Sequence, residues 1–441
     1  APASGRAERG VSAGAAARFL PPKLAARANT MLRIGAQALI AAGCLAIFAI
    51  SPMLLAHWGV PYDAVGGTAP AKVHPGTWLI TLGLLFASLR FSSPIAFAIR
   101  AAALFPGLLA FFAAWAVVLW YAIMVQKLPF TPMIDSFFLP FAALIALSTQ
   151  TDASKRGIAL ALHAILFVNA LLGLSEYLFG FRLTPYVVGE EELEADWRAT
   201  ALLGHPLSNA LTMGAYMIVM SLGGGRDLPK FARPLLTLAA LASMIAFGGR
   251  ASLVLAVTAM AGVFALRFVG VLRGDKVDLR MAAATIALAP LFGVALAALY
   301  ASGFFDQMLE RFVNDHGSAK ARLAMLSFFR HLSAEEILFG PSPEKMGGLQ
   351  RVEGVEYGLE SFFVAYVLNY GALVSAVFFV GVGFFCREIV RASTLRSILP
   401  IVFFFVVAAT SVSLSAKTTT LGMLVALVST MLRPDPRNGT A

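Results

Sequence analysis

Charged residues are scarce in this sequence. Asp, Glu, Lys and Arg make up 13% of its 441 residues, whereas hydrophobic residues make up 59%. Soluble globular domains usually contain about 25% charged and about 45–50% apolar residues. This balance excludes a water-soluble globular protein and predicts a polytopic membrane protein.

Cysteines and the signature motifs of several enzyme classes are also few or missing. The two cysteines, Cys44 and Cys386, each lie inside an apolar run, so neither a disulfide framework nor a metal cluster is indicated. The sequence has no acidic DxD-type pair that would hold a divalent metal for a nucleotide sugar. It also has no Walker A loop, HExxH motif or GxSxG motif. We therefore predict a mechanism without metal or cofactor.

Apolar stretches of about 15–25 residues, separated by charged connectors, predict an all-α protein with about twelve transmembrane helices. Residues 1–30 contain almost no large apolar side chains, which predicts a disordered cytoplasmic tail. A transmembrane domain is expected over 31–432, with one long extracytoplasmic loop at 302–358, and a cytoplasmic tail over 433–441. The predicted spans are centred on residues 34–56, 77–90, 101–125, 136–149, 157–180, 201–222, 235–248, 251–267, 281–301, 359–385, 397–413 and 418–432.

The basic residues are unevenly distributed between the connectors. If the N-terminus is inside and the sides alternate, about 22 of the 34 lysines and arginines lie on the inner side, as the positive-inside rule requires. Both termini are therefore predicted to be cytoplasmic. The net charge of +10 then reflects topology and attraction to anionic lipid headgroups. We do not expect nucleic acid as a partner.

The largest polar interruption runs from residue 301 to 358, and hydrophobic spans lie on both sides of it. We interpret it as an ordered loop that caps an active site. Arg322 and Arg330 would lie near a common face of a helix, where guanidinium groups suit phosphate oxygens. An amphipathic helix resting on the membrane is the alternative. Glu360, where the chain re-enters apolar sequence, is a candidate general base or an ion-pair partner of these arginines.

Polar residues close to lipid are usually functional or line a wet cavity. The stretch WRATALLGHPLSNAL places Arg198 and His205 about two helical turns apart at the start of a span, with Asn209 on roughly the same face. A snorkelling arginine and a histidine bonded to a neighbouring carbonyl would explain the same pattern. Arg250, in FGGRASLV, follows two glycines that allow another backbone or a ligand to approach. A structural ion pair is the alternative there.

Glu176 lies in the fifth predicted span together with His163 and Asn169. These three residues would form a buried polar network or a proton relay. The structural interpretation is favoured.

Taken in order, five stretches resemble the bacterial O-antigen ligase and polymerase superfamily, the Wzy- and WaaL-like proteins. The branch that they resemble most is that of VpsF-type exopolysaccharide polymerases. The resemblance extends over roughly residues 31–432, and its motifs lie between 197 and 380. The stretches are WRATALLGHPLSNAL, FGGRASLV, AKARLAML, FGPSPEKMGG and YGLESFFVAYVLNYGALVSAV.

This resemblance implies a GT-C-like glycosyltransferase at the outer face of the bacterial inner membrane. It implies that Arg198, Arg250, and Arg322 or Arg330, bind the diphosphate of an undecaprenyl-linked sugar donor. Ligases of the superfamily usually carry a histidine where the long loop returns to the membrane, whereas this chain has Glu360. The difference favours a polymerase, in which Glu360 or His205 takes the proton of the acceptor hydroxyl.

The expected reaction joins undecaprenyl-diphosphate-linked oligosaccharide repeat units into exopolysaccharide or O-antigen. Membrane lipids, a flippase and a chain-length regulator would be its partners. One alternative is an O-antigen ligase that transfers glycan to lipid A core or to a protein. Another is a transporter or flippase for lipid-linked sugar. Transport is less favoured, because transporters tend to show repeat symmetry and a central path of charges.

Overall fold

The computed structural model describes residues 22–64, 66–91, 93–188, 191–193, 196–274, 290, 294, 297–313, 324–354, 359–412 and 414–434. These residues are almost entirely helical. A single short hairpin among them pairs β1 (Val187–Val188) with β2 (Glu191–Glu192) in antiparallel register. The helices are α1 (Pro22–Ala49), α2 (Pro52–His57), α3 (Pro75–Ser88), α4 (Pro94–Leu104), α5 (Pro106–Met124), α6 (Thr131–Ser148), α7 (Asp152–Phe179), α8 (Pro206–Val219), α9 (Ala232–Phe247), α10 (Arg250–Leu272), α11 (Asp306–Val313), α12 (Ala334–Phe339), α13 (Pro343–Val352), α14 (Phe362–Ala392), α15 (Ile398–Ala408) and α16 (Thr420–Met431).

Six helices in the described part of the chain, namely α1, α5, α6, α7, α10 and α14, are long and apolar enough to cross a bilayer. Further apolar helices of 10–17 residues, including α3, α9 and α16, are shorter. The chain is therefore an all-α membrane protein, as predicted. The number of twelve spans and the GT-C-like architecture stay predictions.

Several helix boundaries differ from the predicted spans. The span predicted over 101–125 is interrupted at Phe105, because α4 ends there and Pro106 begins α5. Proline favours the first position of a helix and cannot continue the preceding one. Helix α1 begins at Pro22, inside the tail predicted over 1–30; residues 1–21 lie outside the described residues. Most of the ninth predicted span, 281–301, also lies outside them.

Helices α8 and α16 form the centre of the bundle. Every residue of α16 is buried, and so is every residue of α8 except Leu207 and Ser208. A helix that is buried on all sides belongs to a core and not to a surface. Around this centre, glycines allow close packing. A Cβ atom on Gly43 of α1, for example, would lie 2.6 Å from Ile80 of α3, and small residues at such contacts are typical of membrane helices.

The segments that connect the helices meet in two groups, one at each end of the bundle. Contacts in the first group are Lys417 Nζ to the Tyr62 carbonyl (2.7 Å), Thr418 N–H to Ser136 Oγ (3.1 Å), Ser415 Oγ to the Leu359 carbonyl (2.9 Å) and the Tyr177 hydroxyl to the Phe304 carbonyl (2.7 Å). Those in the second include Arg433 to Asp227 (2.8 Å), Arg396 to the Leu222 carbonyl (3.1 Å) and Gly107 N–H to Glu388 (3.1 Å).

The long loop is folded where the structure describes it. A small hydrophobic cluster joins the loop to the start of α14. Helix α12 begins with a capping box between Ser333 and Glu336, which satisfies two backbone donors at its first turn. The end of α12 lies against Gly371 of α14, where the glycine has φ +79° and interrupts the helical geometry. The expectation of an ordered loop therefore agrees with residues 302–313 and 324–354.

Substituting Gly371 by alanine is expected to release the loop from α14. The new Cβ would lie 2.5 Å from the Gly340 nitrogen, and a positive φ costs a residue with a side chain about 1–3 kcal/mol. Limited trypsin digestion of the purified protein should therefore cleave at Arg351 faster than in the wild type. Gly347→Ala is the matched control, because a Cβ at Gly347 meets nothing within 4 Å. Equal cleavage of the two variants would contradict the prediction.

Candidate active site

Residues 199–205 form a buried, non-helical segment that leads into α8. Ala199, Thr200 and Ala201 are buried, and Ala201 has a positive φ of 41°. Such a backbone needs hydrogen-bond partners from the protein, since lipid offers none. Glu176 of α7 supplies them. One of its carboxylate oxygens accepts from Thr200 N–H at 2.7 Å and Ala201 N–H at 2.9 Å, and the other accepts from Leu183 N–H at 2.8 Å.

Two asparagines complete this support. The Asn169 side-chain oxygen accepts from Leu202 N–H at 3.0 Å, and its amide nitrogen donates to Asn209 at 2.9 Å. Asn209 in turn donates to the Thr200 carbonyl at 2.6 Å. Glu176 and Asn169 thus belong to a buried structural network, as favoured from the sequence. His163 lies outside it, because its ring nitrogen bonds to the Tyr216 hydroxyl at 2.8 Å.

His205 ends the buried segment and is the N-cap of α8. The prediction that Arg198 and His205 share a helical face is wrong, because the helix begins only at Pro206. The His205 Nδ1 atom accepts a hydrogen bond from Leu207 N–H at 3.2 Å, so a neutral ring carries its proton on Nε2. In the described part of the chain this Nε2–H has no acceptor. The geometry suits His205 as a hydrogen-bond donor better than as a proton acceptor.

A second His-Pro pair caps α3 in the same way. His74 Nδ1 accepts from Gly76 N–H at 3.0 Å, and its Nε2 bonds to the Ile50 carbonyl at 2.8 Å. This histidine is fully buried and has partners at both nitrogens. The two histidines therefore differ at Nε2. His74 has a partner there, whereas His205 has none among the described residues.

Arg198 is held by an ion pair and an aromatic ring. Its guanidinium donates to both Asp196 carboxylate oxygens at 2.6–2.9 Å, and to the Tyr186 hydroxyl at 3.1 Å. Tyr186 also packs edge-on against His205, with ring centroids 5.4 Å apart. Arg198 is therefore connected to His205 through Tyr186. A phosphate that binds Arg198 would share the guanidinium with Asp196.

Arg250 is the first residue of α10, and Gly248, two residues before it, packs against Arg198. A Cβ on Gly248 would lie 2.9 Å from Arg198 Cγ, and one on Gly249 would overlap the Ala210 side chain of α8. The two glycines therefore allow the close approach expected from the sequence. The turn that precedes Arg250 therefore contacts both Arg198 and α8.

A cavity of about 150 Å³ opens on the other side of His205. Part of its wall is apolar and belongs to α1, α2, α8 and α16. The rest carries hydroxyl groups, a histidine, a lysine and a carboxylate. The polar lining is Ser51, Asp63, His205, Ser208, Lys417, Thr418, Thr419 and Thr420.

Lys417 and Asp63 were not identified from the sequence. Lys417 Nζ lies 3.5 Å from the Asp63 carboxylate and 3.2 Å from the centre of the Tyr62 ring. Burial lowers the pKa of Lys417, an effect that Asp63 opposes. Burial also raises the pKa of Asp63, and Lys417 opposes that shift. The signal was present: Lys417 is the only charged residue between Arg396 and Arg433, and an isolated charge between apolar spans is usually functional.

Buried contacts beneath this pair fix its position. Asp135 is fully buried and accepts hydrogen bonds from the Tyr62 hydroxyl at 2.7 Å, the Thr77 hydroxyl at 2.6 Å and His74 N–H at 3.1 Å. A carboxylate with this many donors is well satisfied, so its burial is tolerated. Asp135 thereby anchors the segment that carries Asp63 to α3 and α6.

The remaining predicted site residues come from the long loop. Glu360 is half-buried and follows Leu359, whose carbonyl accepts from Ser415 Oγ at 2.9 Å. It therefore lies beside the segment that carries Lys417. Arg330 is exposed in a 3₁₀ turn, Phe328–His331, and does not line the cavity. Arg322 lies outside the described residues, so its predicted face shared with Arg330 is untested.

Comparison with known proteins adds no assignment. No family model matches the chain, and no curated protein matches it.

In the described part of the chain, His, Cys, Asp and Glu side chains form no group of three that could hold a metal ion. The cavity lining there instead combines hydroxyl groups and His205 with one lysine, Lys417. Such a set suits an anionic ligand.

Proposed function

We propose that this protein is a glycosyltransferase that polymerises undecaprenyl-diphosphate-linked oligosaccharide repeat units at the outer face of the bacterial inner membrane. One observation carries the proposal. A cavity with an apolar and a polar wall is lined by His205 and Lys417, and Tyr186 connects His205 to Arg198, against which the turn before Arg250 packs. A lipid-linked sugar has the same division into apolar and polar parts.

The chemistry requires no metal in principle. Undecaprenyl diphosphate is a good leaving group, and preorganised cations can stabilise the negative charge that develops on it. In this proposal Arg250 and Arg198 are those cations. Two lipid-linked glycans held at one bundle end would also react faster through proximity.

In the proposed step, the acceptor hydroxyl oxygen attacks the anomeric carbon of the donor sugar with inversion. The bond between that carbon and the diphosphate oxygen breaks, and the hydroxyl proton passes to a base. The ring nitrogen of His205 that lacks a proton is occupied by Leu207 N–H. Glu360 is therefore the better candidate base, and His205 would donate a hydrogen bond from Nε2. The half-exposed carboxylate of Asp63 lies in the cavity wall as a further candidate.

An assay with purified protein in liposomes tests this function. The substrate is an undecaprenyl-diphosphate-linked repeat unit, and the products are separated on a gel. A ladder of glycans is expected. A single transfer that needs added lipid A core would indicate a ligase instead. Movement of the lipid-linked sugar across the liposome membrane, with no covalent product, would indicate a transporter and contradict the proposal.

A further inference from the structure

The cavity beside His205 contains more hydrogen-bond donors than its own walls use. Lys417 Nζ donates to the Tyr62 carbonyl at 2.7 Å, and its charge faces Asp63 at 3.5 Å. An ammonium group has three donors. The Tyr62 ring, whose centre lies 3.2 Å from Nζ, also attracts the ammonium, so a phosphate would compete with that ring for the third donor. The Lys417 side chain is only 9% exposed. A charge this deeply buried is expensive unless it is compensated.

Two further donors point to the same ligand. Thr419 is 5% exposed and lines the cavity. It is the N-cap of α16 but makes no capping bond through its side chain, and its hydroxyl has no partner among the described residues. The Nε2–H of His205, a half-buried residue, also has no acceptor in the described part of the chain. Donors without a partner at a cavity wall can bind a ligand, and a hydrogen bond to such a ligand is favourable.

The backbone strengthens this preference for negative charge. Helix α8 has 14 residues and α16 has 12, and the first residues of both helices line the cavity. The first N–H groups of a helix have no partner within it, and the helix dipole places partial positive charge there. Helix N-termini are therefore favourable places for phosphate. Here two of them accompany a lysine, a threonine and a histidine. Leu207 N–H at the start of α8 and Thr420 N–H at the start of α16 already have side-chain acceptors, so the helix dipoles are the main contribution of these termini.

The opposite wall of the cavity is apolar. It includes Ile47, Ile50, Met53, Leu207 and Met423. A free inorganic anion would gain nothing from these side chains, whereas an acyl or prenyl chain would bury apolar surface against them. The cavity thus suits a ligand with a phosphate at one end and a hydrocarbon chain at the other.

We propose that this cavity binds the phosphate group of an amphiphilic lipid phosphate, with Lys417, Thr419 and His205 as its ligands. The site is distinct from the Arg198–Arg250 side of α8. The proposal rests on the proposed function only for the identity of the natural lipid. Among the residues that the structure describes, Asp63 is the one carboxylate in the cavity lining, and it competes with phosphate for Lys417.

Equilibrium binding to the full-length purified protein in detergent tests the site. Farnesyl phosphate is the probe, and farnesol and inorganic phosphate are its two halves. We expect Lys417→Gln to bind farnesyl phosphate about 10- to 100-fold more weakly, because a hydrogen bond from a charged donor is lost. Lys127→Gln should bind like the wild type, since Lys127 is an exposed lysine outside the cavity lining.

A second variant decides the matter if Lys417→Gln does not fold. Asp63→Asn removes the competing carboxylate, so farnesyl phosphate should bind about fivefold more tightly. Inorganic phosphate that binds as well as farnesyl phosphate, with the same loss in Lys417→Gln, would support the phosphate site and identify free phosphate as the ligand. Farnesol that binds as well as farnesyl phosphate would overturn the site. So would unchanged binding in both Lys417→Gln and Asp63→Asn.

These measurements are independent of glycan synthesis. Binding through Lys417 without any glycan product would leave this site in place and refute the glycosyltransferase. A glycan ladder together with unchanged binding in the variants would support the glycosyltransferase and refute this phosphate site.

Discussion

Replacing Arg250 by alanine should lower the rate of glycan polymerisation by about 100- to 1,000-fold, the usual effect of removing one preorganised donor from a developing negative charge. Arg250 begins α10, and the glycines before it pack against Arg198 and α8. Its backbone position is therefore fixed by the core. Truncating the side chain removes the cation without disturbing that packing, so the variant should remain folded in the membrane.

The liposome assay with gel separation measures this effect. Arg351→Ala is the matched control, because Arg351 is an exposed arginine near the end of α13 in the long loop. It should polymerise at the wild-type rate. Arg250→Lys keeps the charge but loses the planar fork that binds phosphate bidentately, so an intermediate rate is expected. A normal ladder from Arg250→Ala would show that Arg250 has no part in the reaction.

Replacing Glu176 by alanine should destabilise the protein by about 3 kcal/mol, because two buried N–H groups and one part-buried N–H group would lose their acceptor, and each buried one costs about 1–3 kcal/mol. The groups belong to Leu183, Thr200 and Ala201. Without them the segment 199–205 has no other carboxylate to hold its non-helical backbone. We expect both the fold around His205 and the binding of ligand to be lost.

Unfolding of the purified protein by SDS, followed by tryptophan fluorescence, measures the free energy. Glu310→Ala is the control, because Glu310 is exposed on α11 and its loss should be nearly neutral. Glu176→Gln keeps one oxygen acceptor, so its free energy of unfolding should lie between those of Glu176→Ala and Glu310→Ala. A Glu176→Ala protein as stable as Glu310→Ala would mean that the buried segment is supported by other contacts.

The predicted spans show where sequence patterns are reliable. The α5, α7 and α14 regions were predicted as membrane helices and are helices, because a long apolar run must form its hydrogen bonds internally in lipid. The start of α8 was predicted wrongly. Residues 201–205 are as apolar as a span, but Pro206 begins the helix and Glu176 stabilises the segment before it. Hydropathy alone cannot detect such a partner.

The candidate site was only partly predictable for the same reason. Arg198, His205 and Arg250 attract attention as polar residues at the ends of apolar spans, and the structure places them around the start of α8. Arg330 also stands out in the sequence as a charged residue between apolar spans. In the structure, however, it is exposed and does not line the cavity. A charge near lipid indicates function, but its sequence position does not reveal which other charges it meets.

The amino-acid sequence by itself determines that this protein is an α-helical membrane protein, because the cost of exposing apolar runs to water or unpaired backbone to lipid depends on local composition. Only the tertiary structure decides that Lys417 meets Asp63, that Asp135 anchors Tyr62, and that α8 and α16 begin at one cavity. These contacts join segments far apart in the chain. They depend on how the helices pack, and no local pattern encodes that packing.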